Sequence, residues 1–122
     1  MDKYFITLFN YNYLPQGLTM YYSLKSKFSK AKLWVLCMDK KVEKDLNKRN
    51  LPGLNTISLK NIENKNLLSA KKNRNFIEYC WTITPFLPSY FFNKFKKAKN
   101  VTYLDADIFF FKNPKPIINE FS

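Results

Sequence analysis

Residues 101–111 read Val-Thr-Tyr-Leu-Asp-Ala-Asp-Ile-Phe-Phe-Phe: a short apolar run, two carboxylates one residue apart, and a second apolar run. Val101–Leu104 has the β-branched and aromatic content of a buried strand, and Asp105 and Asp107 stand where that strand stops. In extended backbone positions i and i+2 point to the same side, so both carboxylates can address one site. Two like charges that close repel, and a bound cation or a shared proton relieves them. A hard divalent cation with oxygen ligands, Mg²⁺ or Mn²⁺, fits that chemistry. The alternative is a strand end whose Asp residues merely cap the next turn.

Working outward, the same kind of strand recurs upstream. Tyr4–Phe9 (YFITLF) and Leu33–Met38 (LWVLCM) are buried strands, and Thr56–Leu59 is a shorter third one. Between them, Leu18, Tyr21, Tyr22, Leu24 and Phe28 recur near a 3.6 period, predicting a helix over 15–28 that opens on Pro15. Asp39 caps a second helix over 40–50, with Val42 and Leu46 inward, and Pro52-Gly53 ends it. Residues 61–72 are polar and carry no clear signal. Residues 74–83 form a helix whose Phe76, Tyr79 and Trp81 point to burial. Pro85 and Pro88 interrupt it before a further helix over 86–97 that ends in lysines. Tyr103 and Phe109–Phe111 read as core, and Asn113–Pro116 as a turn. Strands alternating with helices predict an open, Rossmann-like α/β fold: a mainly parallel sheet with helices on both faces. Such sheets bind ligands beyond the carboxyl ends of their strands, which places Asn10, Asp39 and the Asp105/Asp107 pair on one rim.

The 122 residues suffice for one small domain. There is no His, so no His-containing zinc site and no Ser-His or Cys-His pair can be completed within this sequence. The only two glycines, Gly17 and Gly53, lie too far apart for a phosphate-binding loop. The net charge is +12, yet all the basic residues except Arg49 and Arg74 are lysine. Bidentate readers of phosphate and bases favour arginine, so the excess reads first as solvated faces, then as attraction to an anionic membrane surface, and least as nucleic-acid binding. Cys37 and Cys80 match neither a metal nor a disulfide spacing, and read as reduced, buried thiols. The opening MDKYFITLF is unlike a signal peptide, and no apolar run approaches the roughly 18 residues of a membrane span. The expectation is a cytoplasmic chain, with lysine-rich faces for peripheral contact at the inner membrane surface.

YLDADIFFFKNP (residues 103–114) resembles the DxD segment of nucleotide-sugar glycosyltransferases with the GT-A fold, most closely the glycogenin and lipopolysaccharide-galactosyltransferase group, glycosyltransferase family eight. FITLFNYNYLPQGLTMYYSL (residues 5–24) resembles that family's first strand, nucleotide loop and first helix. LWVLCMD (33–39) looks like its second strand, and KKNRNFIEYCWTITPFLP (71–88) like the helix that enters the site. The resemblance implies that residues 1–122 are the nucleotide-sugar-binding part of a GT-A domain, cut short at its C-terminal side. It implies that Thr7 and Asn10, with Tyr11 nearby, line the base and ribose pocket. Asp105 would contact ribose and metal, and Asp107 would bind the metal. Arg74 would pair with a diphosphate oxygen, with Glu78 either orienting it or forming a plain helix salt bridge. Cys80, Trp81 and Thr82–Thr84 would be core or sugar-pocket wall. The implied cofactor is Mn²⁺ or Mg²⁺. The implied donor is a nucleotide sugar, expected to be a UDP-sugar, and the acceptor a saccharide or glycolipid hydroxyl, with retention at the anomeric carbon. No nucleic-acid partner is expected.

The sequence departs from that family at two points. The family takes a further metal ligand, commonly a His, from a later motif, and its catalytic domain is about twice as long. On that ground this chain by itself is not expected to turn over. Two rivals stand beside this reading. A haloacid-dehalogenase-type phosphotransferase also uses DxD, but on its first strand and with Thr or Val where Phe109 stands. A non-catalytic basic module for nucleotide, nucleic acid or membrane surface would bind with steep salt dependence and indifference to Mn²⁺.

Overall fold

The computed structural model describes residues 3–119; the ends of the expected unit, at 1 and 122, lie outside them. Four parallel strands, β1 (Lys3–Phe9), β2 (Ala31–Cys37), β3 (Leu54–Ser58) and β4 (Thr102–Tyr103), form one sheet in the order β3-β2-β1-β4. Helices α1 (Leu14–Lys27) and α2 (Lys40–Arg49) link the first three strands. Three helices, α3 (Lys65–Lys72), α4 (Phe76–Ile83) and α5 (Phe86–Lys94), fill the last crossover, and α6 (Lys115–Asn119) follows β4.

The period-2 alternation of β1 sorts the core into two layers. Phe5 and Phe9 pack with Leu24 of α1 and Val42 and Leu46 of α2 on one face. Ile6 and Leu8 pack with Leu67, Ile83, Leu87 and Phe91 of α3–α5 on the other. The Rossmann-like sheet with helices on both faces is therefore observed. Because β1 and β2 are buried on both faces, their sequences run apolar with little interruption.

Local signals explain the helix ends. Pro15 lies in the first turn of α1, and Lys25 and Lys27 in its last. The Asp39 carboxylate accepts the Val42 N–H at 2.7 Å and starts α2, which Asn50 ends in the left-handed region at φ 50°. Asn64 caps α3 through Leu67 N–H at 2.9 Å. Leu67 is the buried residue of that helix, so its periodicity is nearly invisible in the sequence. Asn75 and Glu78 close a reciprocal capping box at the start of α4.

Four expectations need correction. Trp81 is 72% exposed, and Phe76 is exposed too, because Tyr79 and Ile83 take the side of α4 that meets the sheet. Of Phe109–Phe111, expected as core, only Phe110 packs against the α1 layer, with Ile108 beside it, whereas Phe109 (49%) and Phe111 (79%) face outward. Residues 61–72 contain α3, and the expected turn at Asn113–Pro116 runs into α6. The helix after Pro85 stops at Lys94 rather than at 97. β4 itself is brief, with Thr102 beside Phe5 and Tyr103 beside Ile6, and the Leu104 N–H extends the pairing to the Ile6 carbonyl at 2.9 Å.

Candidate active site

The order β3-β2-β1-β4 reverses direction at β1. The connections through α1 and α2 cover one face, and the connection into β4 covers the other. Crossovers that diverge in this way leave a crevice at the carboxyl ends of β1 and β4. A pocket of about 380 Å³ lies there, walled by Leu8, Phe9 and Tyr13 from the β1 side, by α4, and by Tyr103, Asp105 and Asp107 at the end of β4. A tight turn, Ile108 N–H to Asp105 carbonyl at 3.2 Å, keeps the two carboxylates together, and both are exposed. Beyond them the Ser23 hydroxyl accepts the Phe110 N–H at 2.9 Å, fastening the segment to α1.

The other residues singled out from the sequence are spread more widely. Thr7 is fully buried within β1 on the α1 side, and its Oγ1 has no hydrogen-bond partner there; buried Asn10 Oδ1 is also without one. Tyr11 turns away from the carboxylates. Its N–H donates to Asp39 Oδ2 at 2.9 Å, and its ring lies 4.2 Å beneath the Lys41 ammonium. Arg74 is exposed, donates to the Ala70 carbonyl at 3.3 Å and does not line the pocket. Glu78 is occupied in the capping box, accepting the Asn75 N–H at 3.0 Å, and so neither orients Arg74 nor forms the expected helix salt bridge.

Tyr13 is the residue that the sequence reading passed over. The turn Asn10–Tyr13, closed by Tyr13 N–H to Asn10 carbonyl at 3.1 Å, brings this half-exposed ring into the pocket wall in place of Tyr11. Two aromatics in a four-residue loop give no clue to which one faces inward. The Tyr103 phenol in the same wall is pushed above its ordinary value chiefly by burial. A contact with the Thr84 hydroxyl opposes that rise, and the Asp105 charge adds to it. Burial raises the Cys80 thiol as well, so neither group offers an anion at neutral pH.

A larger cleft, about 540 Å³, lies at the carboxyl ends of β2 and β3. Its acids are engaged internally, Glu43 with the Ser58 hydroxyl and Glu63 with both the Tyr79 hydroxyl and Lys71. The pocket with free carboxylates is the smaller one. Among the described residues no three His, Cys, Asp or Glu gather to hold a metal. Asp105 and Asp107 are hard oxygen donors facing solvent, which suits a cation that completes its octahedral shell with phosphate oxygens and water.

Residues 5–119 match the family model of glycosyl transferase family 8. The chain belongs to that family. Two proteins of Bacillus subtilis strain 168, described as the uncharacterized proteins YfnF and YfnD, are each 32% identical over 117 residues; the match takes in 96% of this chain and 39% and 38% of theirs. The chain thus spans about two fifths of the length of these curated relatives. Its fold is shared with the apo form of glycosyltransferase GlyE from Streptococcus pneumoniae TIGR4 at TM-score 0.55 and 17% identity, covering 96% of this chain and 26% of that one. Mouse xyloside xylosyltransferase 1 in its apo form gives TM-score 0.55 at 15% identity, covering 99% and 49%. No helix among the described residues is long and apolar enough to cross a membrane.

Proposed function

We propose that this chain is the nucleotide-sugar-binding part of a glycosyltransferase domain, which transfers a sugar from a nucleotide diphosphate to an acceptor hydroxyl. The observation that carries the reading is the Asp105/Asp107 pair in a pocket at the point where the sheet's crossovers diverge. Asp105 and Asp107 hold Mn²⁺ or Mg²⁺, and Asp105 also lies within the strand-end region where a ribose would sit. Tyr13 offers a ring on which a base can stack. Asn10 Oδ1, unpartnered just past β1, is assigned to the nucleoside in this reading, whereas Thr7 Oγ1, fully buried on the α1 side, would reach one only if that layer shifted. Arg74 would reach a diphosphate oxygen only by leaving the Ala70 carbonyl.

When bound, the cation supplies Lewis-acid stabilisation of the charge that builds on the departing diphosphate. The protein's share is positional. The turn after Asp105 and the Ser23 tether fix the carboxylates, while the protonated Tyr103 and Cys80 keep the wall beside them uncharged. The glycosyl centre passes through an oxocarbenium-like state, and family membership supports retention. The donor is a UDP-sugar and the acceptor a saccharide or glycolipid hydroxyl. The +12 charge favours peripheral contact with an anionic membrane surface.

Calorimetric titration with UDP in the presence and absence of MnCl₂ tests the reading. Binding is expected to require the cation and to be lost in Asp107→Asn. Cation-indifferent binding that falls steeply with salt and survives Asp107→Asn would favour the basic binding module instead.

A further inference from the structure

The sheet has a second place where the chain parts. β2 continues into α2, whose Val42 and Leu46 pack in one layer, while β3 leads toward α3, whose Leu67 packs in the other. The two departures leave the cleft of about 540 Å³ at the carboxyl ends of β2 and β3. That volume is within the range typical of small-molecule sites and more than a bare inorganic ion would fill.

The charges around this cleft are uneven once internal contacts are counted. Glu43 accepts the Ser58 hydroxyl, and Glu63 accepts the Tyr79 hydroxyl and pairs with Lys71 at 3.2 Å. Both oxygens of Asp39 accept backbone N–H groups. Lys40, Lys44 and Lys60 line the same cleft, are exposed, and have no partner among the described residues. Two of them stand where a helix disfavours a cation. Lys40 directly follows the N-cap, at the positive end of the α2 dipole, and Lys44 repeats its charge at i+4 on the same face. Lys41, beside them in the sequence, is engaged elsewhere, over the Tyr11 ring. A helix that opens on unanswered cations, with a third across the cleft, breaks local preference in the manner of a binding site.

We infer that this cleft binds a small organic phosphate, with Lys40, Lys44 and Lys60 on the phosphate and Met38 and Leu59 against the carbon skeleton. A phosphate monoester carries about −1.5 to −2 charge at pH 7, which answers three ammoniums better than one carboxylate does. Asn47 adds a donor. Its Oδ1 accepts the Thr56 hydroxyl at 2.7 Å, which orients the amide and leaves the Nδ2–H groups for the ligand. The site is separate from the Asp105/Asp107 pocket and needs no divalent cation.

The test is a titration of the ¹⁵N-labelled chain, at constant ionic strength and without divalent cation, with inorganic phosphate, phenyl phosphate, glucose 6-phosphate and benzoate. Amide shifts are expected to concentrate at Lys40–Lys44 and Ser58–Lys60. At least one organic phosphate should bind about fivefold tighter than inorganic phosphate, the margin supplied by the apolar lining. Lys44→Gln with Lys60→Gln should weaken it about tenfold or more, by loss of two charge-assisted contacts. Lys96→Gln with Lys97→Gln, the same charge change in the approach to β4, should leave it within about twofold. Thermal unfolding checks that both double variants fold. Equal weakening by the two, or shifts spread over every lysine-bearing segment, would mean that net charge attracts anions generally, and would overturn the site. Inorganic phosphate or benzoate binding as tightly as the organic phosphates would overturn the ligand class. Either failure leaves the nucleotide-sugar reading standing, because cation dependence and Asp107→Asn decide that one.

Discussion

Asp39 is the residue on which helix start and loop position depend together. Its Oδ1 accepts the Val42 N–H at 2.7 Å, and its Oδ2 accepts the Tyr11 N–H at 2.9 Å. Asp39→Ala removes both bonds. An N-cap is worth about 1 kcal/mol, and a second charge-assisted bond, half-buried here, contributes about 1.5 kcal/mol. The expected loss is therefore about 2–3 kcal/mol in urea unfolding, with the denaturant slope unchanged. Asp39→Asn separates the two roles. Asn caps helices as well as Asp does, but it offers one oxygen where two N–H groups wait, so its expected loss is about 1–1.5 kcal/mol. Amide exchange then distinguishes the sites: Tyr11 N–H should lose protection in the Asn variant while Val42 N–H keeps it. If both variants stay within about 0.5 kcal/mol of the parent, the reasoning fails. A loss in Asp39→Ala with none in Asp39→Asn, and Tyr11 still protected, would show that the cap alone matters.

Gly17 lies within α1, where Ala ordinarily gains about 1 kcal/mol. Here a Cβ would sit 2.4 Å from the Phe9 ring, so Gly17→Ala is expected to destabilise by about 1–2 kcal/mol, and a raised melting temperature would contradict the packing. Burial, followed by the charges of Glu43 and Asp39, pushes the Cys37 thiol from about 9 up to about 12, against a smaller lowering by the Ile57 backbone. The folded state thus prefers the protonated thiol. Its contribution is complete below about pH 9 and declines as pH rises toward 12, because the unfolded chain releases its proton first. Urea midpoints measured from about pH 8 to about pH 10 should therefore fall less steeply in Cys37→Ala than in the parent. An identical slope would refute the shift.

The legible parts of this fold are those where one residue type does one job. The unbroken apolar runs at Tyr4–Phe9 and Leu33–Met38 could only be strands buried on both faces, and Asp39 announced a helix. The carboxylate pair was equally plain, since acids are scarce in a chain of this charge. What stayed hidden depends on direction in space. Trp81 and Tyr79 are both aromatic residues of one short helix, and only the packing of α4 on the sheet shows that one is core and the other pocket wall. Tyr11 and Tyr13 differ in the same way, parted by a single turn. The α3 helix was silent because a lone buried Leu67 makes no period.

The first strand is an inner one, paired on both sides, and this fixes the order in which its edges can be satisfied. The edge toward β2 closes once the chain has reached Cys37, across a modest loop. The edge toward β4 waits until Tyr103 and Leu104 arrive, nearly the full length of the described chain later. Such distant parallel pairing is slow, because loop-closure entropy must be overcome before the contact returns anything. Asp105 and Asp107 follow that last pairing directly, so the pocket is assembled at the end of folding rather than at its start. A ligand that grips both the Tyr13 turn and the carboxylates would hold β4 against β1, and the weakest seam of the sheet would then be closed from the outside.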